Sequence, residues 1–585
     1  MNQYRKIMYI TIFLTLFIFS SIVFGQSKGN TGFYDVPSKH WAETSINQLR
    51  KLNITDGIGG NEFGLGKTIN RNEFVTFLVK LMGWELITPE DGSFIDVYKS
   101  GWDYPYIETA LSYGIILDES ENFRGSEPIT REEMAIMIVR ALGYESLSKQ
   151  LEGASSPFND VSQSIGHITL AKDFGIINGV GKDLFKPYNN AKREEAAAMM
   201  MRMHEKLNTP LETLHGFYAI RSFHQAQMID AFNSIGFGWS RLEYDSELKK
   251  IVLNTTTKNN NEYSIPTGFM EPIDMALETN AKKMLMLFAQ NSGVSIEGVV
   301  EEIPLIEYVI SDPKIRRDVI KSILEQMNRN LSDEDFVTFD GVIIDFEELR
   351  GETIKKHFNE FLGELRKELG KKDKLLYVAV HPARSEGKSY YDAYDFRKIG
   401  DLADKVILMA HDYYAKQLTD EDMESGYRTT PLTPIDEIYW ALRYIVDEDH
   451  GVQDTNKVLL QISFDSVQWK LKDGKIINRY PYKPDYEAIR KRLLMEGTAI
   501  NYSERFQNPY ATFYNNEDES QNIIWYEDSR SIEAKINLGK MFGIKGISVW
   551  RIGNIPSYED VPGKEIHLDI WQQLLNFTKD NAKNS

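Results

Sequence analysis

The first third of this chain repeats itself, and that periodicity limits its fold more than any other feature does. Phe33-Tyr34-Asp35-Val36, Phe94-Ile95-Asp96-Val97 and Phe158-Asn159-Asp160-Val161 return at intervals of 61 and 64 residues. Each is followed by a second signature: Asn70-Arg71-Asn72-Glu73, Thr130-Arg131-Glu132-Glu133 and Lys192-Arg193-Glu194-Glu195. A polar residue, then Arg-x-Glu, then an apolar run reads as a helix N-terminus with a capping box. Capping alone does not require an arginine at the same place three times. The period predicts three helical modules over 29–88, 90–147 and 154–207. It stops at Leu207-Asn208-Thr209-Pro210, and the remaining 375 residues are too long for a fourth module.

Upstream of the repeats, residues 1–6 carry two positive charges, and Ile7–Phe24 is uncharged and apolar. Val23-Phe24-Gly25 ends that run as a small-residue cleavage site would. Residues 1–25 therefore read as a secretory signal peptide, with an uncleaved anchor as the competing reading. The chain has no cysteine, which excludes disulfides, thiolate nucleophiles and Cys-ligated metals. An exported protein without cysteine fits a bacterial envelope better than a eukaryotic secretory route. The formal net charge of −19 makes nucleic acid a poor partner.

These repeats resemble S-layer homology modules. The resemblance implies three modules packed as a pseudo-threefold unit that binds a pyruvylated secondary cell-wall polymer, with Arg71, Arg131 and Arg193 gripping the anionic sugar through fork-like hydrogen bonds. Trp41 and Trp102 match the aromatic that follows the Asp-Val turn, and the third repeat has no such Trp.

After Pro210, apolar runs of strand length alternate with helical stretches. Gly216–Ile220, Ile235–Leu242, Met284–Ala289, Gly341–Phe346, Leu375–Val380, Val406–Ala410, Val458–Ile462 and Gly546–Trp550 make eight candidate strands. Eight strands with intervening helices predict an α/β (β/α)8 TIM barrel over 212–580. The stretch from Ser466 to Lys545 exceeds what one helix needs, so an α+β insertion is expected before the last strand.

The fourth run ends in Ile344-Asp345-Phe346-Glu347-Glu348. Period-two alternation puts Asp345 and Glu347 on one side, the barrel interior at its C-terminal rim, and Glu348 on the other. Two carboxylates that close do not ionise independently, and one is pushed towards the protonated form that a general acid needs. A strand end with solvated acids is the bland alternative, weakened by the buried Gly-Val-Ile-Ile flank.

The stretch Asp340–Glu347 resembles the Asp-Gly-x-Asp-x-Asp-x-Glu signature of family 18 glycoside hydrolases, and is closer to their spore-germination and cortex peptidoglycan glucosaminidase branch. Asp340, Asp345 and Glu347 match, while Ile343 stands where the middle Asp would be. Met409-Ala410-His411-Asp412-Tyr413 is similar to the sixth-strand motif Met-x-Tyr-Asp-Tyr, with His411 in place of a Tyr. Gly216-Phe217-Tyr218 and Gly546-Ile547-Ser548-Val549-Trp550 fit the first and eighth strands. The resemblance implies that the substrate's own acetamide is the nucleophile. Glu347 would be the general acid, and Asp345 would hold the charged oxazolinium. Tyr218, Asp340, Met409, His411, Asp412, Tyr413 and Trp550 would bind the sugar, with no metal or dissociable cofactor. The expected substrate is an N-acetylglucosamine glycan, peptidoglycan first and chitin second, at the bacterial cell wall. A catalytically silent, lectin-like surface protein is the alternative.

Overall fold

The computed structural model describes residues 32–297, 299–330, 336–384, 391–425 and 429–579. The signal-peptide expectation lies outside the described residues. The chain divides into two compact units. One holds the described residues up to Tyr144 with Ser155–Ala171 and Ile176–His204. The other holds Glu145–Ala154, Lys172–Gly175 and the residues from Glu205 onward.

In the repeat unit each module contributes a helix pair: Glu43–Lys51 with Arg71–Met82, Tyr104–Ser112 with Arg131–Ala141, and Ile165–Asp173 with Arg193–Leu207. The recurring aspartates explain the first signature. Asp35 accepts from the amides of Phe63, Gly64 and Leu65, Asp96 from Phe123 and Arg124, and Asp160 from Phe185 and Lys186. Each carboxylate thus clamps the loop that leads into the second helix, and each signature Phe packs on that loop's Phe at 5.4–5.7 Å.

The modules close on one another in a ring. The Ile69 amide donates to Ala191 O at 3.1 Å, that of Ala191 to Ile129 O at 2.9 Å, and that of Ile129 to Ile69 O at 3.0 Å. This three-membered backbone cycle gives the pseudo-threefold arrangement that the resemblance implied.

The second unit is a closed barrel of eight parallel strands. In chain order they are Thr213–Tyr218, Ser234–Asp245, Lys282–Gln290, Gly341–Glu347, Leu375–Val380, Lys405–Leu408, Val458–Ser463 and Gly546–Trp550. The first strand pairs with both the eighth and the second, which closes the sheet. Phe217, Met284, Met286, Ile343, Tyr377, Ala379, Ile407, Met409 and Leu459 fill the interior. Gly341 is demanded by close approach, because a Cβ there would lie 2.5 Å from Leu375 O. After the fourth strand, helix Glu352–Gly370 buries Ile354, Phe358, Phe361, Leu365 and Leu369, an apolar stripe at helical period against the sheet.

The first strand begins three residues earlier than the sequence suggests and ends at Tyr218. Ile220 and Arg221 adopt positive φ of 36° and 60°, which breaks the extended run. The insertion is a five-stranded antiparallel sheet with helix Tyr486–Leu494, lying between the seventh and eighth barrel strands. Its buried Trp469 packs in an apolar cluster with Tyr414, Leu418 and Leu432 from beyond the sixth strand. A buried ion pair, Lys535 Nζ to Glu527 Oε2 at 2.7 Å, joins it to the barrel helix Ser529–Met541; Asn508 and Ser531 also donate to Glu527.

Candidate active site

Along the fourth strand the interior side chains are Ile343, Asp345 and Glu347, since Ile343 lies in the interior apolar cluster and the period is two. The strand is built to be buried, so its terminal acids are carried into the barrel mouth with it. Burial pushes both carboxyls above the ordinary carboxylate range, and the neighbouring Asp345 charge pushes Glu347 further. Asp345 Oδ1 has no hydrogen-bond partner among the described residues. The pair therefore holds a proton at a pH where isolated carboxylates hold none, and presents an open acceptor.

The third strand places Phe288 in register with Asp345 and Gln290 with Glu347. Tyr263 stacks on Phe288 at 4.5 Å, and its hydroxyl is pushed well up by burial and then by the charges of Asp345 and Glu347. Trp550, ending the eighth strand, meets Phe217 edge-on at 5.3 Å. Met409 is buried in the apolar cluster below.

His411 is held rather than free. Its Nε2 lies 2.7 Å from Gln461 Oε1, Gln461 Nε2 donates to Ser548 Oγ at 3.4 Å, and that hydroxyl lies 2.9 Å from His215 Nδ1. This polar chain crosses the sixth, seventh, eighth and first strands inside the barrel. Burial works against a charged His411, but Asp412, 3.7 Å away, and Gln461 together raise its pKa. Burial likewise opposes the Asp412 carboxylate, yet His411 and Lys416 hold it below the usual range. His381 and His215 are pushed down to about 3 by burial, so both are neutral. Tyr413 lies 5.2 Å from the Arg384 guanidinium. Gln461, Ser548, His215 and Tyr263 were missed in the sequence. The available signal for the first three was a polar residue at an inward position of an apolar run.

Two expected sugar contacts are corrected. Tyr218 is buried on the outer side of the sheet against Phe237 and Trp239, and the first strand turns Phe217 inward instead. Asp340 sits before the fourth strand's start, where it accepts from the Lys283 amide at 2.8 Å and from Lys283 Nζ at 3.1 Å. Seven residues of strand put it about 20 Å from Glu347, at the opposite end of the barrel.

In the repeat unit each of the three arginines reaches across to the next module. Nε of Arg71, Arg131 and Arg193 donates to the carbonyls of Phe123, Phe185 and Phe63, and Nη1 to Glu133, Glu195 and Glu73. Each pair links one module to the next in a cycle. Arg131 also lines a small cavity of about 150 Å³ with the exposed Trp41, Asn178 and Arg202. Trp102 is exposed as well.

Residues 276–554 match Glycosyl hydrolases family 18, and residues 32–75, 93–135 and 157–197 match the S-layer homology domain. The barrel is a family 18 glycosyl hydrolase domain. The three modules ahead of it are S-layer homology domains. The chain is 36% identical over 194 residues to "Exoglucanase XynX" of Acetivibrio thermocellus, a match covering 32% of this chain and 17% of that protein. It is 25% identical over 259 residues to the "Cortical fragment-lytic enzyme" of Bacillus subtilis (strain 168), covering 42% of this chain and 52% of that one. The chain thus spans about half the length of the second relative and less than a fifth of the first. Among solved structures, the spore cortex-lytic enzyme SleL of Bacillus cereus aligns with a TM-score of 0.45 at 19% identity, over 62% of this chain and 73% of that one.

Proposed function

We propose that this protein is a glycoside hydrolase of the bacterial cell surface, cleaving the β-1,4 bonds of an N-acetylglucosamine glycan while its S-layer homology domains hold it on the wall. The observation that carries this reading is the buried Asp345–Glu347 pair, with a raised proton affinity, at the C-terminal rim of a family 18 barrel. Glu347 donates its proton to the glycosidic oxygen. The substrate's acetamide attacks the anomeric carbon, Asp345 stabilises the positive oxazolinium, and water opens it with retention of the β configuration. His411 and Tyr413 orient the acetamide, Asp412 sets the charge on His411, and Trp550 floors the sugar by apolar stacking.

Peptidoglycan is the favoured substrate and chitin the second. The modules support the first, since they would hold the barrel against the wall through a pyruvylated polymer, and so does the likeness to a cortical fragment-lytic enzyme. A barrel that binds glycan without cleaving it has one observation in its favour: Ile343 lies in the apolar cluster, where the family signature carries a third carboxylate. The deciding experiment digests purified peptidoglycan and chitin with the full chain and analyses new reducing ends by mass spectrometry. New N-acetylglucosamine ends that vanish with Glu347→Gln support the hydrolase; binding without any new ends selects the silent barrel.

A further inference from the structure

Beside Trp550 a cavity of about 710 Å³ opens among the loops that follow the first, second, seventh and eighth strands, with one wall from the insertion. All four loops leave the barrel at its C-terminal end, the end that carries Glu347. Its lining carries both signs of charge: Arg221, Lys483 and Arg551 against Glu262 and Asp465, while Asp485 caps helix Tyr486–Leu494 and Glu487 pairs with Lys491 at 2.6 Å. Arg221, Lys483, Arg551, Glu262 and Asp465 make no ion pair within 4 Å among the described residues, although Arg551 feels the charges of Asp465 and Glu262. Arg551 spends one hydrogen bond on the Ile220 carbonyl, Lys483 lies 5.5 Å from the Tyr414 ring, and Asp465 accepts from Asn554 at 3.1 Å. Tyr263, next in sequence to the lining residue Glu262, stacks at 4.5 Å on Phe288, the register partner of Asp345.

A neutral N-acetylglucosamine polymer can hydrogen-bond these groups through its hydroxyls but carries no charge to compensate theirs. Charged groups held around a concave site discriminate between ligands by complementarity, and cations and anions left unpaired side by side fit a ligand that itself carries both. We propose that this cavity binds the short peptide substituent of peptidoglycan, whose carboxylates would meet Arg221, Lys483 and Arg551 and whose free amine would meet Glu262 and Asp465. The inference rests on the peptidoglycan reading and deepens it: the protein would select peptide-bearing glycan over bare glycan. The volume lies within the roughly 300–1,000 Å³ of ordinary ligand sites.

The test uses the full chain carrying Glu347→Gln, so that bound glycan is not turned over. Calorimetry compares a disaccharide-tetrapeptide muropeptide with the same disaccharide after amidase removal of the peptide. The peptide-bearing ligand is expected to bind about tenfold more tightly, and Arg221→Ala with Lys483→Ala to abolish that difference. Both side chains are exposed, so their truncation leaves the core untouched. Equal affinities for the two ligands, a preference that survives the double substitution, or no saturable binding of either ligand overturns the proposal. Wild-type hydrolysis of bare oligomers, measured in parallel, judges the hydrolase reading separately.

Discussion

Arg193→Ala is the sharpest probe of how the repeat unit is held together. The Arg193 side chain is 3% exposed; its Nε donates to Phe63 O at 2.8 Å and its Nη1 to Glu73 at 2.6 Å. Truncation leaves a carbonyl without its charged donor, at a cost of about 1–2 kcal/mol. It also leaves the Glu73 carboxylate uncompensated. That group is 27% exposed and keeps the Asn70 amide at 3.0 Å, so its share is held to about 1 kcal/mol. The sum is about 2–3 kcal/mol. Arg71→Ala should cost less, about 1 kcal/mol, because Arg71 is 13% exposed and Arg124 stands 4.0 Å from Glu133 as a substitute. Hydrogen–deuterium exchange on the intact chain reads the repeat unit apart from the barrel. In helices 71–82 and 193–204, Arg193→Ala should speed exchange about fiftyfold and Arg71→Ala about fivefold. A change below threefold for Arg193→Ala, or an equal or larger one for Arg71→Ala, refutes the view that these arginines are mainly cross-module ties.

In the barrel, Glu347→Gln should lower turnover by about 10²–10⁴-fold with glycan affinity retained, as measured by steady-state kinetics and calorimetry on soluble oligomers. Since the acid must be protonated and its pKa is raised, activity should persist through neutral pH and fall on the alkaline side; Asp345→Asn, besides slowing the reaction, should move that fall to lower pH because it removes the charge that raises Glu347. Tyr218→Phe should change kcat/KM less than twofold, because the hydroxyl lies outside the barrel interior, and a tenfold loss would restore it to the site. Asp340→Asn should cost about 1 kcal/mol of barrel stability in denaturant titrations through its Lys283 contacts, with KM unmoved; a raised KM would contradict its placement at the far end.

Much of this was legible in the chain. Identical signatures at a 60-residue period imply identical local structures, and three copies that each leave an apolar face uncovered must cover one another. The eight strands appeared as apolar runs because barrel strands are buried on both faces. Asp345 and Glu347 could be placed together because alternation is a property of any strand. The first strand was less clear, since His215 puts a polar residue inside a buried run.

Local sequence determined the modules, the strands and the spacing of the two acids, all of which depend on neighbours within a few residues. Closure of the barrel decided the rest. It set which parity of the first strand faces inward, turning Phe217 in and Tyr218 out. It put Asp340 and Glu347 at opposite ends of one continuous motif. It brought Gln461, Ser548 and His215 into a chain behind His411. Cyclic packing of the modules paired Arg193 with Glu73, 120 residues away. Orientation and partnership of this kind are relations between segments far apart in the chain, and no local propensity encodes them.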